Sequence, residues 1–122
     1  MVSYARRVLV IDDNRDSADS LMMILQIAGH QVRCAYDGIN ALATAEEFHP
    51  QAALLDLSLP GMHGYEVASH LRAHHPGITL IALSGYSQFE DIQRSKAAGF
   101  AAHLVKPVDP QTIFEILKEV PL

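Results

Sequence analysis

The residues of this sequence that could do chemistry stand at the ends of short apolar runs. Three are carboxylates, one is a hydroxyl and one is an amine: Asp12, Asp13, Asp56, Ser84 and Lys106. Three carboxylates within several ångströms of one another either take up protons or require cations. One lysine would leave a charge of roughly −2, which matches a single hard divalent cation bound through oxygens. The residue types therefore predict a Mg²⁺ site.

Short apolar runs alternate with stretches of helical spacing along the chain, which predicts repeated βα units. The five runs cover residues 7–11, 31–36, 52–55, 78–83 and 101–105. Four are nearly continuous, as strands buried on both faces of a sheet should be, while residues 31–36 alternate in their first half and suit an edge strand. We expect an α/β fold with a doubly wound, five-stranded parallel sheet in the strand order 2-1-3-4-5.

The helical stretches differ in how much apolar surface they can bury. The fifth begins at Asp109 and Pro110, an N-cap acceptor followed by a proline in the first turn, and places Ile113 and Leu117 on one face. The fourth, residues 88–97, has only a thin apolar stripe among polar positions. A helix with so little to bury should dock loosely.

The expected strand order brings the chemistry-bearing residues to one edge of the sheet. Strands 1 and 3 are neighbours, and their carboxyl ends flank the crevice in which such sheets hold ligands. An acidic pair after a strand is often only a helix cap or a solvated turn, and Asp56 alone is no more informative. The joint placement of all five residues at one edge favours a functional site.

Composition excludes several classes of protein. A chain of 122 residues with 49% hydrophobic residues can fold as one domain with its own core. The apolar runs are too short to span a bilayer, and no secretory signal is recognisable, so we expect a cytoplasmic protein. A net charge of −5 argues against direct nucleic-acid binding. The lone Cys34 suits a small buried residue with no redox role.

Four motifs are distributed over the chain in a fixed order. They are Val8-Leu-Val-Ile-Asp12-Asp13-Asn14, Leu54-Leu55-Asp56-Leu-Ser-Leu-Pro60-Gly-Met-His-Gly64, Ala82-Leu-Ser84-Gly and Lys106-Pro107. In content and spacing this set closely resembles the receiver domain of two-component response regulators. The resemblance implies a flavodoxin-like fold and a single receiver domain over residues 1–122, with a core of about 7–120.

The resemblance also implies a function and a role for each site residue. Asp56 would accept a phosphoryl group from a phosphohistidine of a sensor histidine kinase or a histidine phosphotransfer protein. Asp13 and Asp56 would bind Mg²⁺ directly, helped by the backbone carbonyl of Ser58, and Asp12 would act through a metal-bound water. Such a domain is a phosphoprotein that catalyses only its own phosphorylation and dephosphorylation.

Phosphorylation would then change the surface that the domain presents. Added charge and acceptor oxygens on Asp56 would recruit the Ser84 hydroxyl and the Lys106 amine. The resemblance implies that a downstream protein reads this change at the fourth helix, fifth strand and fifth helix. It also implies a cis peptide bond between Lys106 and Pro107. We expect a monomer, and whether phosphorylation drives dimerisation is left open.

Two positions near the site call for separate interpretation. The family commonly has an aromatic residue three positions before the lysine, where this chain has His103, which puts the usual aromatic switch in doubt. A pH-sensitive output is one reading, and a half-exposed histidine without a special role is the other. Tyr86, two residues after Ser84, would obstruct the hydrolytic water and slow self-dephosphorylation, or would simply lie on the surface.

The seven histidines raise the question of a zinc site. His70 and His74 share one face of the third helical stretch, with His75 adjacent, and two such ligands can begin a zinc site. No third ligand is obvious from the sequence. A solvated helix face is the favoured interpretation.

Other functions remain as alternatives. A Mg²⁺-dependent aspartyl-phosphate hydrolase would also use a nucleophilic aspartate on such a sheet, but those enzymes typically carry an Asp-x-Asp motif after the first strand. A docking-only receiver fragment of a hybrid histidine kinase is disfavoured because all five site residues are present. The chain could be a stand-alone regulator or the receiver part of a larger protein.

Overall fold

Strands and helices alternate along the chain in the computed structural model, which describes residues 5–59, 64–85 and 89–121, with the backbone alone at 89–92. The strands are β1 (Arg7–Ile11), β2 (Gln31–Ala35), β3 (Ala52–Asp56), β4 (Thr79–Ser84) and β5 (Ala102–Val105). The helices are α1 (Arg15–Ile27), α2 (Gly38–Phe48), α3 (Gly64–His74), α4 (Phe89–Ala97) and α5 (Pro110–Lys118). The predicted order of elements is confirmed, with ends that shift by a residue or so.

Within the described ranges the strands form one parallel sheet in the order β2-β1-β3-β4-β5. The predicted strand order is confirmed, and β2 is an edge strand as its alternating pattern indicates. The other edge is β5, whose residues are half-buried or exposed, while every residue of β3 is buried. The central strands β1 and β3 therefore lie where the winding of the chain reverses, and ligand crevices form at that position in such sheets.

Successive residues of each central strand point to opposite faces of the sheet. Leu9 and Leu55 pack in one layer, which α2 and α3 cover. Val8 and Leu54 pack in the other layer, which α1 and α5 cover. Burial on both faces explains why these strands read as continuous apolar runs, and it makes the sheet a rigid base for residues at its edge.

Two site residues are part of the strands rather than of the loops after them, which corrects the predicted strand ends. Asp56 pairs with Leu83 in the register between β3 and β4. Ser84 pairs with Val105 between β4 and β5. The backbone hydrogen bonds of a sheet do not depend on side-chain type, so a ladder can continue past the last apolar residue. As a result, the sheet itself fixes the backbone of Asp56 and Ser84.

Side-chain caps begin the helices that follow β1, β2 and β5. Asn14, Asp37 and Asp109 each accept a hydrogen bond from a backbone N–H of the first helical turn. The Asp109 cap and the following Pro110 are as predicted. After α4, Gly99 has a φ of 93°, which L residues with a side chain rarely adopt. The three caps begin α1, α2 and α5 within a few residues of the carboxyl ends of β1, β2 and β5.

Away from the site, Cys34 behaves as a small half-buried residue of β2. Its Sγ donates to the carbonyl of Ala18 at 3.4 Å. Burial, with help from the charges of Asp19 and Asp12, raises the pKa of the thiol to about 11. A thiol that holds its proton so firmly is a poor nucleophile. In the part of the chain that the structure describes, no helix is both long and apolar enough to cross a membrane.

Candidate functional site

Three carboxylates meet at the carboxyl edge of β1 and β3. Asp12 and Asp13 follow β1 directly, and Asp56 is the last residue of β3. The strands are hydrogen-bonded neighbours, and each carboxylate has an oxygen within 4.8 Å of one on the others. Asp12 and Asp56 are buried, whereas Asp13 is exposed at the rim. We call this set the acidic triad.

Backbone N–H groups hold the two buried carboxylates in place. The N–H of Asn14 donates to Asp12 Oδ1 at 3.0 Å, and the N–H of Ser58 donates to Asp56 Oδ1 at 2.8 Å. Both bonds span two residues and form local turns typical of aspartate. Each carboxylate therefore keeps one oxygen on its own loop and points the other across the crevice.

Lys106 supplies the positive charge between these oxygens. Its Nζ donates to Asp12 Oδ2 at 3.2 Å and to Asp56 Oδ2 at 3.0 Å. Its backbone N–H donates to the carbonyl of Ser84 at 2.8 Å, which extends the ladder between β4 and β5. The peptide bond from Lys106 to Pro107 is cis, as the resemblance implied.

The proton equilibria of the site reflect this crowding. Burial raises the pKa of Asp12 above its ordinary 3.8; the hydrogen bond from Asn14 opposes this, and Asp56 beside it reinforces it. Burial alone would lower the pKa of Lys106, but the hydrogen bonds and charges of Asp56 and Asp12 together raise it above 10.5. The amine therefore stays charged while one carboxylate is held at a cost in free energy.

The acidic triad has the chemistry of a hard-cation site. Its ligands are all carboxylate oxygens, close enough together to share one ion, and the exposed position of Asp13 leaves room for water in the coordination shell. Such a donor set suits Mg²⁺, which keeps several waters and binds through a few carboxylates. One lysine does not neutralise three carboxylates, so a divalent cation would relieve the remaining repulsion.

A second hydrogen-bonded group includes Ser84, which follows Leu83, the partner of Asp56 in the register between β3 and β4. The Ser84 Oγ lies 2.6 Å from Nε2 of His103, and Nδ1 of the same ring lies 2.7 Å from the Oγ of Ser95 on α4. Ser84 and Ser95 are both buried. Ser95 was missed by sequence reasoning, because serine in a polar stretch reads as exposed. Its one signal is its spacing of three residues from Ile92 on the apolar stripe of that helix.

Other predicted residues lie apart from the site or outside the described ranges. Tyr86, Pro60 and Gly61 belong to the undescribed residues, so the predicted effect of Tyr86 on dephosphorylation stays a prediction. His70 and His74 stack with ring centroids 6.3 Å apart on α3. Among the described residues, the acidic triad is the group whose ligand atoms converge as a metal site requires, and these histidines are not part of it.

Comparison with known proteins identifies the family to which a chain with this fold and this acidic triad belongs. The family model described as the response regulator receiver domain matches residues 8–118. The chain belongs to this family, whose members are receiver domains of two-component systems with a flavodoxin-like fold. Proteins of this family interact with histidine kinases or histidine phosphotransfer proteins.

Two curated relatives show how the chain compares in sequence. It is 34% identical over 114 residues to an uncharacterized 14.6 kDa protein of Leptolyngbya boryana, covering 92% of this chain and 87% of that one. It is 39% identical over 101 residues to the transcriptional regulatory protein PrrA of Mycobacterium bovis. That match covers 83% of this chain but 43% of PrrA, so the chain spans less than half the length of this relative.

Solved structures agree with the fold described above. A CheY-like response regulator receiver domain protein of Methanospirillum hungatei has a TM-score of 0.87 and 34% identity, covering 94% of this chain and 92% of the other. The chemotaxis protein CheY4 of Vibrio cholerae has a TM-score of 0.88 and 30% identity, covering 96% and 99%. The likeness therefore extends over nearly the whole chain.

Proposed function

We propose that this chain is a single receiver domain, with a core of about residues 7–120, that accepts a phosphoryl group on Asp56 in a Mg²⁺-dependent reaction. The observation that carries the proposal is the setting of the Asp56 carboxylate. It is buried, held by the Ser58 N–H and Lys106 Nζ, and within 4.8 Å of the other two carboxylates. A nucleophile fixed beside a metal site and a lysine suits phosphoryl transfer, in which positioning and charge neutralisation provide most of the catalysis.

The phosphoryl donor is a phosphohistidine on a sensor histidine kinase or a histidine phosphotransfer protein. An oxygen of Asp56 forms a bond to phosphorus as the bond between phosphorus and the donor nitrogen breaks, and the electron pair returns to that imidazole. Lys106 stabilises the charge that collects on the phosphoryl oxygens. Bound Mg²⁺ would neutralise the same charge, held by Asp13 and Asp56 directly, by the Ser58 carbonyl, and by Asp12 through water.

The phosphorylated domain signals through α4, β5 and α5. On phosphorylation Asp56 gains charge and acceptor oxygens, and the Ser84 hydroxyl and Lys106 amine turn toward them. Ser84 ends β4, so a turn of its hydroxyl acts at the point where the chain leaves the sheet before α4. The edge strand β5 lies beside this helix, half-covered, with Val105 exposed. A downstream protein that contacts this surface would read the state of Asp56.

The unphosphorylated chain is a monomer that acts in the cytoplasm and does not bind nucleic acid, and dimerisation on phosphorylation is left open. A net charge of −5 opposes association with a phosphate backbone, and a single half-buried cysteine is in keeping with a reducing compartment. The transcriptional role in the name of PrrA belongs to that protein, of which this chain covers less than half.

The direct test is the intact mass of the protein after incubation with acetyl phosphate and Mg²⁺. We expect one phosphoryl increment in wild type, and none in Asp56→Asn or in wild type with a chelator. Asn retains the size and the acceptor oxygen of aspartate, so the variant should fold. A folded wild-type protein that binds Mg²⁺ but gains no mass would refute the proposal and favour a docking-only domain. Continuous release of phosphate from other phosphate esters would instead favour the hydrolase.

A further inference from the structure

The His103 imidazole lies between two buried serines that belong to different elements. Ser84 is at the end of β4, next to the acidic triad, and Ser95 is on α4. Both ring nitrogens are engaged, with Nε2 2.6 Å from the Ser84 Oγ and Nδ1 2.7 Å from the Ser95 Oγ. A phenylalanine or tyrosine at this position has no pair of ring atoms that could make both bonds. The histidine therefore connects the site to α4 through hydrogen bonds.

Ser84, His103 and Ser95 have a limited number of protons to donate in hydrogen bonds. A neutral imidazole has one N–H donor and one nitrogen acceptor, and a hydroxyl has one proton to donate. In the protein without a phosphoryl group, the contacts of His103 with Ser84 and Ser95 can be made with either tautomer of the ring. These two contacts of His103 are therefore compatible in themselves with two opposite directions of donation along the three residues.

A phosphoryl group on Asp56 would select one direction. If the Ser84 hydroxyl donates its proton to a phosphoryl oxygen, it can only accept from His103, so Nε2 must carry the ring proton. Nδ1 of the neutral ring is then an acceptor, and the Ser95 hydroxyl must donate to it. Aligned donors in a buried chain strengthen one another.

The same direction of hydrogen-bond donation continues from Ser95 to Tyr65 on α3. The Tyr65 Oη lies 3.5 Å from the Ser95 Oγ, and either oxygen can be the donor in that pair. Once Ser95 donates to His103, Tyr65 must be the donor of this bond. The guanidinium of Arg94 on α4 lies over the Tyr65 ring, 4.3 Å from its centroid. A change in which group the Ser95 hydroxyl donates to therefore affects the contact between Tyr65 of α3 and residues of α4.

We propose that His103 is a positioning residue, which holds the Ser84 hydroxyl toward the acyl phosphate and passes that state to α4 through Ser95. The proposal rests on the function proposed above, because it takes Asp56 as the phosphoryl acceptor. His103 acts on Ser84 and does not itself contact the phosphoryl group. The ring responds by a change of tautomer, which needs no rotation of the side chain.

The first test observes the ring directly. The ¹⁵N resonances of His103 are recorded in the presence of Mg²⁺, with and without beryllofluoride, a stable stand-in for the phosphoryl group. The difference from a His103→Asn spectrum assigns the signals. We expect the Nε2–H tautomer alone in the beryllofluoride complex. A ring that stays in the Nδ1–H form, or as a mixture of tautomers, would overturn the proposal.

The second test uses two variants of His103 to separate its hydrogen bond to Ser84 from its hydrogen bond to Ser95. In His103→Gln the side-chain amide reaches the place of Nε2 and can still donate to Ser84. In His103→Asn the amide takes the place of Nδ1 and can bond only Ser95. We expect His103→Asn to slow phosphorylation by acetyl phosphate about tenfold, the usual effect of one lost hydrogen bond of that kind, and His103→Gln to remain within about threefold of wild type.

The chemical shifts of α4 distinguish a signalling role of His103 from a purely structural one. Beryllofluoride should shift the backbone amides of residues 93–98 in wild type, and this shift should be lost in His103→Gln and in Ser95→Ala. Ser69→Ala and His74→Asn, at exposed positions of α3, are the matched controls and should behave as wild type. Equal phosphorylation rates in both His103 variants, or an unchanged α4 response, would contradict the proposal. A wild type that takes neither phosphoryl group nor beryllofluoride would refute the proposed function itself.

Discussion

At the scale of single residues, Asp12 experiences both stabilising and destabilising interactions. Its carboxylate binds Lys106 and the Asn14 N–H, yet it is buried within 4.8 Å of two other carboxylates, and its pKa is raised by that burial. A raised acid pKa means that the charged form is less stable in the folded protein than in the unfolded chain. The arrangement costs stability and groups carboxylates that could hold a cation, a common compromise at functional sites.

Asp12→Asn should therefore stabilise the metal-free protein. Asparagine keeps an acceptor for the Asn14 N–H and removes the charge, so the free energy of unfolding at about pH 7 should rise by roughly 0.5–2 kcal/mol. The penalty in wild type is absent below the unfolded pKa of about 3.8 and appears as pH rises through the raised folded pKa. The gain should shrink toward about pH 4, as urea unfolding with a chelator would show. A variant that is less stable than wild type at neutral pH would contradict this account.

At the scale of elements, the close approach of α3 to the end of β3 depends on Gly64. A Cβ at this position would lie 2.7 Å from Leu57 Cα and 3.1 Å from the carbonyl oxygen of Asp56. Both atoms belong to the backbone, which cannot move aside as a flexible side chain can. Glycine at the start of α3 thus lets the helix begin against the strand that carries the proposed acceptor.

Gly64→Ala should destabilise the fold by about 1–3 kcal/mol, because the added methyl group must displace backbone beside Asp56. The phosphorylation rate should fall as well, since Leu57 directly follows Asp56. Gly77→Ala is the matched control, because a Cβ there would meet nothing within 4 Å. Its free energy of unfolding should stay within about 0.5 kcal/mol of wild type. Urea unfolding of both variants checks this, and equal stabilities would argue against a close contact at Gly64.

At the scale of the whole molecule, Arg6 connects the start of β1 to a buried histidine and to the segment after α5. The backbone N–H of Arg6 donates to His30 Nδ1 at 3.0 Å, and the Arg6 Nε donates to the carbonyl of Val120 at 2.7 Å. Burial, and then the charge of Arg6, lowers the pKa of His30 below 6.5. Protonation would place a hydrogen on the nitrogen that accepts from Arg6, so the folded protein favours the neutral ring.

Stability should consequently fall in mild acid. The contribution of neutral His30 is fully present above about pH 6.5, the unfolded pKa, and is lost as pH falls through that value toward the lowered folded pKa. His30→Asn keeps an acceptor at the place of Nδ1 and cannot be protonated, so its stability should change less between about pH 7.5 and 5.5. The exposed His74→Asn should follow wild type. Identical pH profiles for His30→Asn and wild type would disprove this role.

Much of the fold could be predicted because it depends on patterns that the sequence states directly. Strands buried on both faces require continuous apolar runs, and chain connectivity with right-handed crossovers fixes the strand order. The apolar runs predict ends for β3 and β4 that are one residue too early, because backbone pairing continues through Asp56 and Ser84 regardless of side-chain type. The convergence of the carboxylates at the sheet edge was expected from the same topology.

What could not be predicted depends on contacts between distant side chains. Sequence reasoning left His103 between a pH-sensitive role and no special role, because its partners lie on β4 and α4. Ser95 gave little signal, since its burial comes from the packing of a mostly polar helix against β5. Hydrogen-bond partners such as these follow from the tertiary structure, which local composition does not encode.

The central claim is that Asp56 is the phosphoryl acceptor, and chemical trapping tests it most directly. Borohydride reduces an acyl phosphate to an alcohol, so a phosphorylated aspartate becomes homoserine, which peptide mass spectrometry locates. After incubation with acetyl phosphate and Mg²⁺, we expect homoserine at position 56 and none in a sample kept without the phosphodonor. Homoserine at position 12 or 13, or a phosphorylated protein with no homoserine at all, would contradict the account.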